Sequence, residues 1–177
     1  MAGYRAIVSD DVERAIREAG AFLRSDPAQH NLILTLLEQR RARPEPGRYG
    51  WVSCDDDVLG VFFQSPLVFH ASVTPMPPAA IEPLVDRVAS MAPDLPGVAG
   101  DAATAARFAG RWAELLKVPA KPVEGQRLYA LETVKEPRGV PGRARRADRG
   151  DADVLAGWGN AFERDTGSPV LPDAVRD

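Results

Sequence analysis

Proline is the feature that most limits what this chain can build. Twelve of its 16 prolines fall in clusters at 44–46, 75–83, 93–96, 119–122 and 137–141. Proline lacks an amide donor and has a fixed φ, so such clusters read as breaks between elements. The chain is thereby cut into short segments, each long enough for one or two elements.

Within the first segment, Tyr4–Val8 reads as a short strand. Asp10 with Glu13 fits a capping box, and Val12, Ala15, Ile16, Ala19, Phe22 and Leu23 recur at helical spacing behind it. Asp26, Pro27 and Gln29 signal a second helix start. Leu32, Ile33, Leu36 and Leu37 form its stripe, and Arg40, Arg41 and Arg43 suit its carboxyl end. The turn-forming Asp55-Asp56-Asp57 between Tyr49–Ser53 and Val58–Gln64 reads as a hairpin. Leu67–Val73 is a further strand of apolar residues.

Beyond the prolines at 75, 77 and 78, Ile81, Leu84, Val85, Val88 and Met91 mark a third helix, with Pro83 limiting how early it starts. Leu95–Val98 reads as a strand, and Gly100-Asp101 as the cap of a fourth helix with Ala105, Phe108, Ala109, Trp112 and Leu116 inward. Gln126–Val134 reads as a last strand. Strands interleaved with helices predict an α/β fold with a mixed sheet covered by helices on both faces.

The chain carries a formal charge of -3, whereas a generic nucleic-acid binder is usually basic, so no nucleic-acid partner is expected. The run Lys135–Arg149 is basic but lacks interleaved aromatics, and reads as a solvated linker or as partners for acids. No apolar stretch approaches the roughly 18 residues of a membrane span, and Met1–Asp26 lacks a signal-peptide core, so a cytoplasmic protein without membrane contact is expected. The single cysteine, Cys54, cannot form an internal disulfide, which suits a reducing compartment.

The element order resembles that of the GNAT superfamily of N-acetyltransferases. The local sequence of Phe22 to Leu34, Leu95 to Gly100, Arg127 to Tyr129 and Val140 to Arg143 is similar to bacterial members with two tandem GNAT-like halves. The resemblance covers roughly residues 1–165. It implies a mostly antiparallel sheet, and acetyl transfer from acetyl-CoA to a small-molecule amine. A faint internal repeat accompanies it: Gly3 to Val12, running on to Phe22, is echoed by Gly142 to Asp151, running on to Phe162. In that repeat Asp151 caps a helix with Val154, Leu155, Trp158 and Phe162 on its apolar face. The expected organisation is a GNAT-like module at 1–134, a Pro/Gly linker at 135–141, and the opening strand and helix of a second, incomplete module at 142–177. Such a fragment would pack on the first module, pair with another chain (a second copy or a missing carboxyl-terminal half) or be partly disordered, and its capped amphipathic helix favours packing.

Family members hold the coenzyme pyrophosphate in a loop of the form Arg/Gln-x-x-Gly-x-Gly/Ala, where backbone amides and a helix start face the phosphates. The corresponding stretch here, Ser72 to Ile81, has no glycine, no arginine and the prolines 75, 77 and 78. No cofactor-binding residue is identifiable, and acetyl-CoA is not expected to be held by residues 1–134. Arg17 to Phe22 and Arg107 to Trp112 share the Arg-x-x-Gly spacing but lie within amphipathic helices. The resemblance leaves the catalytic residue open, with Tyr129 a candidate proton donor and Arg127 and Glu132 beside it on the last strand.

His30, His70 and Cys54 have no zinc-type spacing, so no metal is expected. His30 reads as a cap or packing residue and His70 as part of a buried strand. Asp55 to Asp57 reads as a turn rather than a cation loop. Trp112 and Trp158 read as anchors of their helices. A non-catalytic module for a small ligand or protein partner is the alternative to the enzyme reading.

Overall fold

A computed structural model describes residues 3–136 and 138–166. The chain divides into two compact units at Leu131/Glu132. The first is an α/β unit of five strands and four helices: β1 (Tyr4–Ser9), α1 (Val12–Ser25), α2 (Asn31–Ala42), β2 (Arg48–Cys54), β3 (Asp57–Gln64), β4 (Ala71–Val73), α3 (Pro78–Met91), β5 (Val98–Gly100) and α4 (Ala102–Leu116). The sheet runs in the order β1-β2-β3-β4-β5. The first four strands pair antiparallel and β5 joins β4 parallel, so the sheet is mixed and mostly antiparallel, as expected.

Two apolar layers sit on opposite faces, and the pleat of β3 shows why. Phe62 enters a core with Val8, Ala71, Val73, Ile81, Leu84, Val85, Val88, Phe108 and Trp112, supplied by α3 and α4. Its neighbours Val61 and Phe63 point the other way, joining Tyr49, Trp51, Ala15, Ala19, Leu23, Ile33 and Leu37 beneath α1 and α2. A central strand with both faces covered must be apolar at consecutive positions, and Val61-Phe62-Phe63 is.

Several local expectations shift. The cap of α1 is Asp11 rather than Asp10: its carboxylate accepts the Arg14 amide at 3.0 Å. Asp26 does take the Gln29 amide, but it closes a single turn before α2, which begins at Asn31. Leu32, expected on the apolar stripe of α2, is exposed. The turn Asp55-Asp56 joins β2 to β3, with Asp55 at φ +53°. Aspartate tolerates this left-handed conformation better than most side chains.

The predicted strand Leu67–Val73 shortens to Ala71–Val73, because residues 66–70 form a loop whose carbonyls at Leu67 and Phe69 both accept from the Gln64 Nε2, each at 2.9 Å. His70 is therefore exposed on a loop and not on a buried strand. The strand expected at Leu95–Val98 moves to Val98–Gly100; Pro96 has no amide to give a ladder. Helix α3 starts at Pro78 and carries Pro83 inside, so Pro83 does not delay it. Asp101 caps α4 as expected, accepting both the amide and the hydroxyl of Thr104 at 3.1 Å.

The largest correction concerns Gln126–Val134, which forms no strand. Residues 118–135 are without regular structure, and Leu128, Tyr129, Leu131 and Val134 are all largely exposed. The β-type composition is present, but a strand exists only by pairing, and no neighbouring strand is supplied.

In the second unit, residues 142–148 likewise form no strand. A short 3-10 turn (Arg149–Asp151) leads into α5 (Ala152–Thr166). Asp148, not Asp151, is the cap, and the Asp151 carboxylate accepts from the Asp148 amide to complete a capping box. Arg145 holds the Asp151 carboxylate through two hydrogen bonds of 2.7 Å. Trp158, expected as an anchor, is 69% exposed, and α5 contains no buried residue. Among the described residues, no helix is long and apolar enough to cross a membrane.

Candidate functional site at the ends of β4 and β5

Parallel strands followed by helices bring two helix starts to one edge of the sheet, a common place for anions in α/β folds. Here β4 and β5 end side by side, with Val73 opposite Gly100. Helix α3 follows the first and α4 the second. Gly100, at φ +157°, is required there, since a Cβ would strike the Val73 carbonyl.

Neither helix start is arranged to receive a phosphate. At α3 the approach runs through Pro75, Pro77 and Pro78, and the Ala80 amide is spent on the Pro77 carbonyl at 2.9 Å. Thr74 turns inward: its amide donates to the Val61 carbonyl at 3.0 Å and its hydroxyl accepts the Val61 amide at 2.9 Å, extending the β3–β4 ladder by one residue. Met76 then fills the notch over Gly60, where a Cβ would meet Met76 atoms at 2.7 Å. At α4 the cap is the carboxylate of Asp101, a negative charge standing where an anionic ligand would bind. The stretch Ser72 to Ile81 is thus closed by packing, by proline and by its own hydrogen bonds.

The remaining candidate residues are not gathered into one site. Tyr129 is 81% exposed on an irregular segment, and Arg127 and Glu132 are exposed with it. Cys54 is half-buried at the end of β2. His30 is buried, its Nδ1 3.1 Å from the Leu23 carbonyl and its ring stacked on Phe22 at 4.9 Å, which locks the α1–α2 corner. Trp112 is buried against Phe108 as a helix anchor. Arg17–Phe22 and Arg107–Trp112 lie inside α1 and α4. A shallow cleft at Glu18, Phe22, Asp56, Asp57 and Val58 is acidic. Among the described residues, no group of three His, Cys, Asp or Glu side chains could hold a metal ion.

A polar cluster at the other end of β3 has no counterpart in the sequence reading. The side chain of Gln64 is fully buried; its oxygen accepts from Arg48 at 3.1 Å and its nitrogen holds the following loop. The Ser65 hydroxyl donates to the Pro46 carbonyl at 3.1 Å and accepts from the Arg40 Nε at 2.7 Å. Arg40 also pairs with Glu45 at 3.2 Å. Burial raises the Tyr49 phenol above its ordinary pKa, opposed by Ser65 and Arg40. Every member has a partner, so the cluster ties the β2–β3 end of the sheet to α2 and the 66–70 loop. A glutamine closing an otherwise apolar strand was the available signal.

No protein-family model, no characterised protein and no solved structure matches this chain.

Proposed function

We propose that residues 3–116 are a GNAT-like module that has lost coenzyme binding, and that the chain serves as the supporting half of an N-acetyltransferase acting on a small amine. The observation that carries this reading is the amide-poor turn between β4 and α3, in a five-stranded mixed sheet whose element order resembles that superfamily. In an active member, backbone amides would meet the pyrophosphate and polarise the thioester. Here Pro75, Pro77 and Pro78 withhold them and Met76 occupies the adjoining space. The chemistry would then fall to residues outside this module, with acetyl-CoA as the donor. A base would remove a proton from the amine before it attacks the thioester carbon, and coenzyme A would leave as the thiol. Tyr129 is the candidate proton donor to that thiolate, and its exposure leaves it accessible to a partner.

Titration calorimetry of the 177-residue chain with acetyl-CoA tests the proposal. We expect no binding below millimolar concentration. Micromolar binding would overturn it, and micromolar binding of a peptide or a metabolite without coenzyme would favour a ligand-binding module instead.

A further inference from the structure

We propose that residues 135–166 bind the surface of an anionic lipid bilayer, with α5 lying in the interface and the arginines before it among the headgroups. The proposal goes beyond the coenzyme reading and is independent of it, since neither residues 3–116 nor Tyr129 takes part.

Two uncovered features adjoin each other in the second unit. The first is the apolar face of α5. At about 100° per residue, Val154, Leu155, Trp158 and Phe162 fall within one arc of roughly 100°. They are 51%, 46%, 69% and 65% exposed. Small residues flank the arc, Gly159 on one side and Ala161 on the other. Asp153, Asn160, Glu163 and Arg164 lie on the opposite side of the helix, and Asp165, in the last turn, is the one acid on the arc. The second feature is charge. Residues 135–149 carry six cations against Glu136 and Asp148. Arg145 is held by Asp148 and Asp151. Lys135, Arg138, Arg143, Arg146 and Arg149 are exposed and, among the described residues, meet no carboxylate.

An occupant has to answer both features at once. An apolar protein surface would bury Trp158 and Phe162 yet give the five unpaired cations no countercharge. A purely anionic partner would match the cations and leave the aromatics in water. An anionic bilayer supplies acidic headgroups beside an apolar interior, and a helix with tryptophan and phenylalanine on one face suits that boundary. Basic clusters adjoining an amphipathic helix match acidic lipids in the same way. The acids of α5 do not oppose the contact: with the apolar arc against the bilayer, Asp153 and Glu163 face water. The lack of a spanning segment led to no expectation of membrane contact, but a helix lying in the interfacial plane needs one apolar face rather than about 20 consecutive apolar residues.

The experiment is co-sedimentation of the full chain with phosphatidylcholine vesicles, with and without phosphatidylserine, alongside tryptophan fluorescence. We expect the chain to sediment with the phosphatidylserine vesicles, to be released as salt is raised, and to stay in solution with phosphatidylcholine alone. Trp158 emission should shift to the blue on binding, while Trp51 and Trp112, already buried, contribute no change. Each cation near an anionic surface is worth about fivefold in partitioning, so Arg143→Gln with Arg146→Gln should weaken binding by at least about tenfold. Trp158→Ala with Phe162→Ala should abolish the fluorescence shift and the sedimentation. All four positions are exposed, so the melting temperature of the first unit should match the parent in both variants. Failure to sediment with phosphatidylserine vesicles at low salt overturns the proposal, and a dimer that Trp158→Ala with Phe162→Ala dissolves would then assign the face to a protein contact. Equal binding to phosphatidylcholine alone also overturns it, by removing the role of the cations. So does unchanged binding of the aromatic variant, by removing the role of α5.

Discussion

Helices α4 and α5 are each 15 residues long, each follows an aspartate cap, and each carries a phenylalanine and a tryptophan four residues apart. Their fates are opposite. In α4, Phe108 stacks on Phe62 and Trp112, and both of the helix's aromatic side chains are buried. In α5, Trp158 and Phe162 are 69% and 65% exposed. The amphipathic pattern is equally legible in both, so pattern alone states that a face is available for burial. Whether it is buried depends on a sheet and a neighbouring helix, and α4 has both. Its Arg111 reaches the Asp86 carboxylate of α3 through two hydrogen bonds, at 2.9 and 3.1 Å.

The sharpest way to break this comparison is to truncate the equivalent aromatics. Phe108→Ala should cost about 3–5 kcal/mol of stability, as loss of a buried phenylalanine typically does. Phe162→Ala should change the unfolding free energy of the first unit, read from its urea transition, by no more than about 0.5 kcal/mol, as expected for an exposed position. Equal losses would show that α5 is buried in solution.

The caps give a smaller contrast. Asp101→Ala removes the acceptor for the Thr104 amide and hydroxyl, and we expect about 1 kcal/mol lost from global unfolding. Asp148→Ala should leave global unfolding unchanged and reduce only the helical signal of the second unit, seen as lost far-ultraviolet ellipticity.

The smallest effect is one of pH. The Arg145 guanidinium and the Asp148 amide hold the Asp151 carboxyl below its ordinary pKa. A lowered carboxyl pKa in the folded state favours the ionised form there. Its support for the α5 start is therefore complete above the unfolded value of about 3.9, and is lost as pH falls through the lower folded value. An acid titration followed by the Asp151 carboxyl carbon resonance should show the depressed midpoint, and Arg145→Ala should restore it toward the ordinary one.

The hairpin at Asp55-Asp56 and the helical faces of α1, α3 and α4 were readable because local chemistry and burial agree there, except at Met91, which is exposed at the end of α3. Thr74, Gln64 and Ser65 were not readable as a group. Their partners, Val61, Arg48, Arg40 and Pro46, are brought together by sheet register and by the packing of α2. The same holds for the candidate site. Its three prolines are visible in sequence, whereas Met76 over Gly60 and the Asp101 carboxylate beside the β4–β5 ends are visible only once the strands are side by side.

The sequence by itself determined the division into short elements, the α/β class and the poverty of amides between Ser72 and Ile81, because proline positions and apolar periodicity act locally. Tertiary structure alone decided which elements acquire partners. Val61-Phe62-Phe63 became the centre of two cores and Gln126–Leu131 became an unpaired segment, although both carry strand-forming residues. The physical reason is that a strand's hydrogen bonds and a helix's apolar stripe are completed by other parts of the molecule.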